Sequence, residues 1–494
     1  MSLTYLSRGN PDELQTLLEA ELFSAGNINK KIALTPEEQT QLVSYIRKCD
    51  CRLLLYLCIG YATDSLNKMA LANAKIAGLT QDLDLHGYDI NMALGAYYLG
   101  SFLFQLPSNL ILKSVRPKYW LSATMFCWSL VTIFTSMVSS GRQLAWARFL
   151  FGAVQAGYTT GSLYYISYWY PRDMVRNRMG FFFASAGVGG ILIGPLCSIL
   201  SLVETPLVKS WQLIFVVIGL ISFSWSLLGP VMLQDFPETA TFITKDERRL
   251  ITRLMTHQNT IASDQKISRR QVSMTLCDGK IALWTLIDFC ANAATQVNGM
   301  FGPTIIASQG YPPTVAQAIS ALTNFMAFLG MASVAYIARF TGGSSHAIII
   351  SNLITMVGFL LALFASSNGY RIVALFIFSF ASSQPAAHGP AWEMANQQGS
   401  TKPAMAAALT SAFGGLGPLA TAFVYRDQDK PKFILGHTVC LIMTLVCLVT
   451  TTVLRRVLSR ENRRRDTIRT DISRLTSNEI LDLADNHPDF RYKL

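Results

Sequence analysis

Twelve apolar stretches of about twenty residues, separated by polar segments, set the pattern of this chain. A stretch of that length crosses the hydrocarbon core of a bilayer as one α-helix. They lie at 53–77, 89–112, 119–139, 143–167, 178–202, 211–233, 281–307, 313–338, 345–366, 370–392, 403–424 and 434–454. The pattern predicts an all-α polytopic membrane protein. The polar positions inside these stretches carry most of the information. The first stretch holds Asp64, Lys68 and Lys75. A charge at the centre of a span costs on the order of 3 kcal/mol by insertion scales, so a helix keeps it where it faces a cavity or a partner.

Alternate connections differ in charge. One set holds Lys113, Arg116 and Lys118, then Arg172, Arg176 and Arg178, a basic segment from Lys245 to Lys280, and Arg455-Arg456. The other is poorer in basic residues and includes Asp82, Asp84 and Asp89. Basic loops stay on the cytoplasmic side, which puts both termini there. The long connection divides the chain into a cytoplasmic tail (1–52), six spans (53–233), a central cytoplasmic loop (234–280), six further spans (281–454) and a second cytoplasmic tail (455–494). Equal halves of this kind suggest a duplicated six-helix unit. In the loop, Thr244 and Glu247 have capping-box spacing for a charged helix running to about His257, and 258–271 reads as a polar linker. Thr476 and Glu479 repeat the spacing and predict a short helix to Asp485. The basic run from Arg460 to Arg465 suits anionic lipid headgroups. The first fifty residues are too polar for the apolar region of a cleavable signal peptide.

Composition agrees with the pattern: 51% of residues are hydrophobic and 14% charged, against roughly 25% charged in soluble domains. The net charge of +11 is spread over the membrane-flanking loops, which speaks against a nucleic-acid surface. Of nine cysteines, Cys58, Cys127, Cys197, Cys290, Cys440 and Cys447 fall inside apolar stretches, where Cys packs as a small residue. Cys277 stands alone, and Cys49-x-Cys51 has no nearby His or second Cys pair to complete a metal site. Phosphate loops, zinc-hydrolase helices and serine-hydrolase elbows are absent from the sequence, so neither an enzyme nor a cofactor is expected.

Asp64 and Lys68 share one helix face. They form either a structural ion pair or a site in which Lys68 offers a fixed cation to an anion and Asp64 sets its charge. Arg148, at the start of the fourth span, is assigned to the inner loops, and Gln155 is a polar group that must find a partner in lipid. Asp288, Asn292 and Gln296 lie along one face of the seventh span with Asn298 nearby; they read as lining of the second half of a central cavity, or, for Asp288 near the inner end, equally as a gate or loop contact. His388 and Glu393 bracket Gly389-Pro390, where the tenth span is expected to break. His388 is a proton-relay candidate whose place near the inner boundary slightly favours a simple interfacial position, and Trp392 reads equally as interfacial anchor or cavity wall. Gly187-Val-Gly-Gly190 with Gly194-Pro195, and Gly414-Gly-Leu-Gly417-Pro418, predict matching bends in the fifth and eleventh spans, the hinges of alternating access.

These residues resemble a known group. Leu66 to Leu79, LNKMALANAKIAGL, is similar to the "LDRtNIgNAkiaGL" motif of the fungal allantoate permease group, the anion:cation symporter branch of the major facilitator superfamily. Pro107 to Lys113 with Arg116-Pro117, Ala147 to Gly152 with Ala156-Gly157, Trp169 to Arg172, Phe236 to Thr239, Phe301 to Ile305, Trp392 to Asn396, and Asp429 to Pro431 also match. The resemblance runs from about 47 to 454. It implies twelve helices in two six-helix bundles around a midplane site, and proton-coupled import of small carboxylates and vitamins such as nicotinate, pantothenate, biotin or allantoate at the plasma membrane. Three departures stand out. Asn67-Lys68 replaces the group's Asp-Arg pair, so the cation is kept but the planar fork is lost. Gln155 stands where the group has a Glu linked to proton coupling. Arg339-Phe-Thr-Gly-Gly343 lacks the usual Asp-Arg gate.

The sequence therefore predicts a monomeric secondary transporter of a small organic anion, in contact with membrane lipid. Lys68 and Asp64 lead the site, and Tyr97, Tyr98, Gln155, Tyr158, Asn298 and Trp392 are candidate cavity residues. A coupled proton would need Asp64, His388 or Glu393. An exporter or uncoupled facilitator of an unusual metabolite, and a nutrient receptor that binds without turnover, are the competing readings.

Overall fold

The computed structural model describes residues 35–203, 208–257, 269–341, 343–365, 367–397, 402–467, 485 and 490–494. Before the first apolar segment comes α1 (Pro36–Cys49), started by a capping box in which Thr35 and Glu38 exchange hydrogen bonds of 3.0 and 3.3 Å. The first half then comprises α2 (Leu55–Ala74), α3 (Asp89–Ser114), α4 (Pro117–Thr135), α5 (Gly141–Gln155), α6 (Tyr158–Trp169), α7 (Arg172–Ser201) and α8 (Ser210–Leu227). Two helices lie in the central loop, α9 (Lys245–His257) and α10 (Arg269–Cys277). The second half comprises α11 (Gly279–Ala307), α12 (Pro313–Thr341), α13 (Ser344–Phe364), α14 (Asn368–Ala395), α15 (Lys402–Gly414), α16 (Gly417–Ala422) and α17 (Ile434–Thr467). Each of the twelve apolar stretches is helical, and no strand occurs among the described residues. By length and composition six segments could each cross a membrane: Asn177–Ser201, Ser210–Met232, Pro313–Ser333, Ser344–Phe364, Met405–Ala422 and Ile434–Thr467.

The two halves repeat one packing scheme. In the first, α3 packs on α5, α2 on α7 and α8, and α4 on α8. In the second, α12 packs on α14, α11 on α15 and α17, and α13 on α17. Glycines enforce the same close crossings in both. A Cβ at Gly189 would lie 2.2 Å from the Ala62 carbonyl oxygen, where α7 crosses α2. Its counterpart at Gly417 would lie 2.0 Å from the Phe289 oxygen, where α16 crosses α11. Gly152 meets the Tyr97 oxygen at 2.1 Å, and Gly330 the Phe380 oxygen at 2.1 Å. Apolar contact with neighbouring lipid tails gives helices little reason to associate, so backbone approach of this kind supplies the dispersion contact that holds them.

One sequence expectation changes here, in the tenth span. Helix α7 runs through Pro195, and its glycines serve close crossings. The eleventh span does break, between Gly414 and Gly417, where Pro418 removes the donor for the Gly414 carbonyl and the glycines tolerate the interruption. The tenth span is also unbroken, since α14 contains both Pro385 and Pro390. The helix expected over 476–485 and most of the 258–271 linker lie outside the described residues.

Each half carries its own clamp at the end of the basic loops. Helix α9 begins with the expected capping box, Glu247 N–H to Thr244 Oγ1 at 3.2 Å and Thr244 N–H to Glu247 Oε2 at 2.8 Å. Glu247 also accepts from Lys48 Nζ (2.8 Å) and Ser44 Oγ (2.7 Å) of α1, while Arg253 reaches Glu38 at 2.6 Å. In the second half Lys402 lies between Asp278 (2.7 Å) and Asp485 (2.5 Å), and Lys280 pairs with Asp485 at 3.2 Å. Burial would raise the Asp485 carboxyl, but Lys402 and Lys280 outweigh it and hold it below the ordinary Asp value.

Two outcomes follow from this packing. Gly152→Leu should overpack the α3–α5 crossing by about 1–3 kcal/mol, seen as a lower unfolding temperature in detergent; no change would mean the crossing has slack. Burial would raise the Glu247 carboxyl too, yet its bonds with Lys48, Thr244 and Ser44 bring it below its usual value. The clamp is therefore complete at neutral pH and is lost as pH falls through that depressed value. Hydrogen exchange over 36–49 should be slow at pH 7 and accelerate with Glu247→Gln; equal protection in both proteins would refute the clamp.

Candidate functional site

The charged pair of α2 sits in the first half. Lys68 Nζ lies 2.7 Å from Asp64 Oδ2, one helical turn away. The Asp64 side chain is fully buried, while that of Lys68 keeps 22% exposure. Gln155, at the end of α5, donates from Nε2 to the same Asp64 oxygen at 3.2 Å. Its Oε1 accepts from Tyr97 of α3 at 3.2 Å, and Tyr98 stands edge-on to Tyr97 at 4.8 Å. Below Lys68 the Tyr61 ring lies 5.7 Å from the ammonium and stacks on Phe182 of α7 at 4.4 Å. Four helices thus build one cluster of Asp64, Lys68, Gln155, Tyr97 and Tyr98, all predicted, with Tyr61 and Phe182 added. The period of α2 could have found Tyr61, since it lies seven residues before Lys68 on the same face.

Asn67 points elsewhere. Its Nδ2 donates to Ser222 Oγ of α8 and to the Thr63 carbonyl, both at 2.7 Å. Arg148 is a correction to the sequence reading. It does not reach the inner loops: it is buried, donates from Nη1 to the Asn67 carbonyl at 3.2 Å, and lies over the rings of Phe215 (5.3 Å) and Phe151 (5.8 Å). The loop pattern itself held the signal, because the fourth span begins at the end opposite the basic loops.

The remaining candidates do not join the Lys68 cluster. Tyr158 is fully buried against Trp128 at 4.8 Å and fills the space beside Gly60. Asn298 donates to Asn324 Oδ1 at 2.9 Å, and Asn324 Nδ2 reaches the Gly190 carbonyl at 2.8 Å, linking the halves. Trp392 packs edge-on to Trp284 at 5.7 Å and donates to the Lys493 carbonyl at 2.8 Å, in the clamp of the second half. Glu393 accepts from Thr410 Oγ1 at 2.8 Å. Asp288 fits against Gly414, where a Cβ would lie 2.1 Å from its Oδ2. His388 is buried, with no hydrogen bond at Nε2. The stretch of α11 that corresponds to the Asp64–Lys68 turn, 291–296, holds Asn292, Thr295 and Gln296 and no charge. Among the described residues no group of His, Cys, Asp or Glu is arranged for a metal ion, and the nine cysteines are all free.

The halves meet mainly away from the basic loops. Helices α7 and α12 touch at Ser201–Gln317, Ser198–Thr314, Gly190–Asn324 and Gly187–Phe328. Helices α3 and α15–α16 touch at Asn91–Ala422, Gly95–Phe423, Phe102–Phe413 and Gln105–Ser411. Among the described residues no hydrogen bond joins the two halves at the basic end.

The ion pair has a stability signature. Removing one partner of a buried pair costs about 3–5 kcal/mol, and removing both costs far less. Asp64→Asn should therefore unfold at a lower temperature than Asp64→Asn/Lys68→Met. A double variant as unstable as the single one would show that the pair contributes no coupling.

Comparison with known proteins agrees with this architecture. The family model described as Major Facilitator Superfamily matches residues 57–422. The major facilitator-type transporter hxnP of Emericella nidulans is 27% identical over 93% of this chain and 92% of its own length. The high-affinity nicotinic acid transporter of Saccharomyces cerevisiae is 26% identical over 90% of this chain and 84% of its own. The fold is shared with a D-xylose–proton symporter (TM-score 0.66, 11% identity, 83% of this chain and 97% of that one). It is also shared with a bacterial homologue of the human lysosomal transporter Spinster in an inward-facing, occupied conformation (TM-score 0.61, 14% identity, 82% and 96%). These relatives are transporters and not enzymes, and with the helical architecture they show that this multi-pass membrane protein belongs to the major facilitator superfamily.

Proposed function

We propose that this secondary transporter carries a small organic anion of the vitamin or carboxylate class, with Lys68 as its anchor. The Lys68–Asp64 cluster carries this reading. Lys68 is the partly exposed member of the pair, and an ammonium has donors beyond the one given to Asp64. Tyr61, Tyr97 and Tyr98 beside it suit a compact, flat carboxylate. The nicotinic acid transporter among the relatives supports the substrate class, and the resemblance to the allantoate permease branch supports uptake across the plasma membrane by a monomer. The twelve helical stretches are read as twelve spans in two bundles, with both termini cytoplasmic.

Gln155 cannot titrate, so a coupled proton would be carried by Asp64, His388 or Glu393. Asp64 alone of these touches the anion anchor, and its protonation would free Lys68 for the substrate. Abolished accumulation under a proton uncoupler supports symport; uptake that persists favours facilitated diffusion. Saturable binding without accumulation in proteoliposomes would support the receptor reading.

Uptake of radiolabelled nicotinate, pantothenate, biotin and allantoate into cells that express the protein tests the anchor. A charge-assisted bond worth about 1.5–3 kcal/mol corresponds to a ten- to hundredfold loss in kcat/KM. Lys68→Met should show that loss at unchanged abundance, and Lys68→Arg should retain part of the uptake. Full uptake by Lys68→Met would remove Lys68 from the mechanism.

A further inference from the structure

Among the described residues one ion pair joins the two halves. Lys75 Nζ, just beyond the end of α2, lies 2.8 Å from Asp427 Oδ1, in the connection that follows α16. The Lys75 side chain is 11% exposed and that of Asp427 41%. Lys75 reaches this position because the helix widens over Lys75–Leu79 and turns at Gly78, whose φ of +104° is open to glycine. Asp427 is oriented from its own side. Lys430 holds the same carboxylate oxygen at 3.0 Å, and Arg426 bonds Asp429 at 3.1 Å to close the turn. Asn91 braces the contact from α3 by donating to the carbonyls of Ala422 and Tyr425.

The pair sits where the halves are closed, at the end opposite the basic loops. Alternating access requires this end to open in the other half of the cycle, as α3 and α15–α16 part. Glycine crossings and neutral contacts can separate with little electrostatic cost. The ion pair must be pulled apart. A cavity of about 240 Å³ lined by Thr80, His86, Tyr88, Arg426 and Asp427 lies beside it, so water can reach the Asp427 carboxylate as the pair separates. Burial would raise the Asp427 carboxyl, but Lys75 and Lys430 outweigh it and hold it below its ordinary value. Such a pair is weak enough to break in every cycle and specific enough to register closure.

We propose that Lys75 and Asp427 form the latch of the outer gate, an ion pair that stabilises the conformation closed to the outside and breaks when the transporter opens there. Lys430 belongs to the same half as Asp427 and orients it without latching.

Spin labels at Asp84→Cys and Gln428→Cys, one on each half, measure the opening directly by electron–electron distance in nanodiscs. The exposed Cys51, Cys127 and Cys277 are replaced by Ser for this purpose. Lys75→Met and Asp427→Asn should each raise the long-distance population two- to fivefold, the size set by a part-exposed pair. The double variant should open no further than either single one. Lys75→Arg should retain the native distribution, and Lys430→Met should leave it unchanged. Single variants with native distances, or a double variant whose opening is the sum of the two, would overturn the latch. The measurement needs no substrate, so it stands or fails separately from the identity of the transported anion.

Discussion

A lysine ammonium inside a membrane protein is costly without a counter-charge, and Asp64 supplies one to Lys68. Much of the first half is arranged around that requirement. Asp64 must be held by Gln155, Gln155 must be held by Tyr97, and the backbone of α2 must be fixed so that both charges keep their direction. Arg148 and Ser222 do that last task through Asn67. A charged centre thus depends on a shell of polar groups drawn from several helices.

The second half has the same helices in the same order of contact but no equivalent charge. Gly189 and Gly417 produce one crossing twice, over Ala62 and over Phe289. The scaffold is therefore repeated while the chemistry is not. A carrier of this kind can hold its ligand mainly with one half and let the other move against it. Asparagine and glutamine on α11 offer hydrogen bonds there without the desolvation cost of a second buried ion.

The sequence revealed the fold because bilayer-length apolar stretches and charge-biased loops are local signals. Asp64, Lys68 and Gln155 were legible for a related reason: polar groups are conspicuous in apolar helices. The partners were harder to see. Tyr158 and Asn298 are polar residues in apolar helices just as Tyr97 is, and only packing shows that they turn toward Trp128 and Asn324. Trp392 meets Lys493, about a hundred residues later in the chain, and no periodicity links such positions. Proline misled in the tenth span, since α14 absorbs its prolines without breaking, whereas the glycines around Pro418 let the eleventh span part.

The central loop is divided between owners. Helix α9 is fastened to the first half through α1, by Lys48, Ser44 and Arg253. Helix α10 is fastened to the second, where the Lys402 N–H donates to Gln271 at 3.1 Å. What joins one half to the other covalently is then the segment 258–268, and eleven residues reach at most about 36–40 Å when drawn out. The length of that connection alone sets an upper bound on how far α9 and α10 can be drawn apart as the halves move.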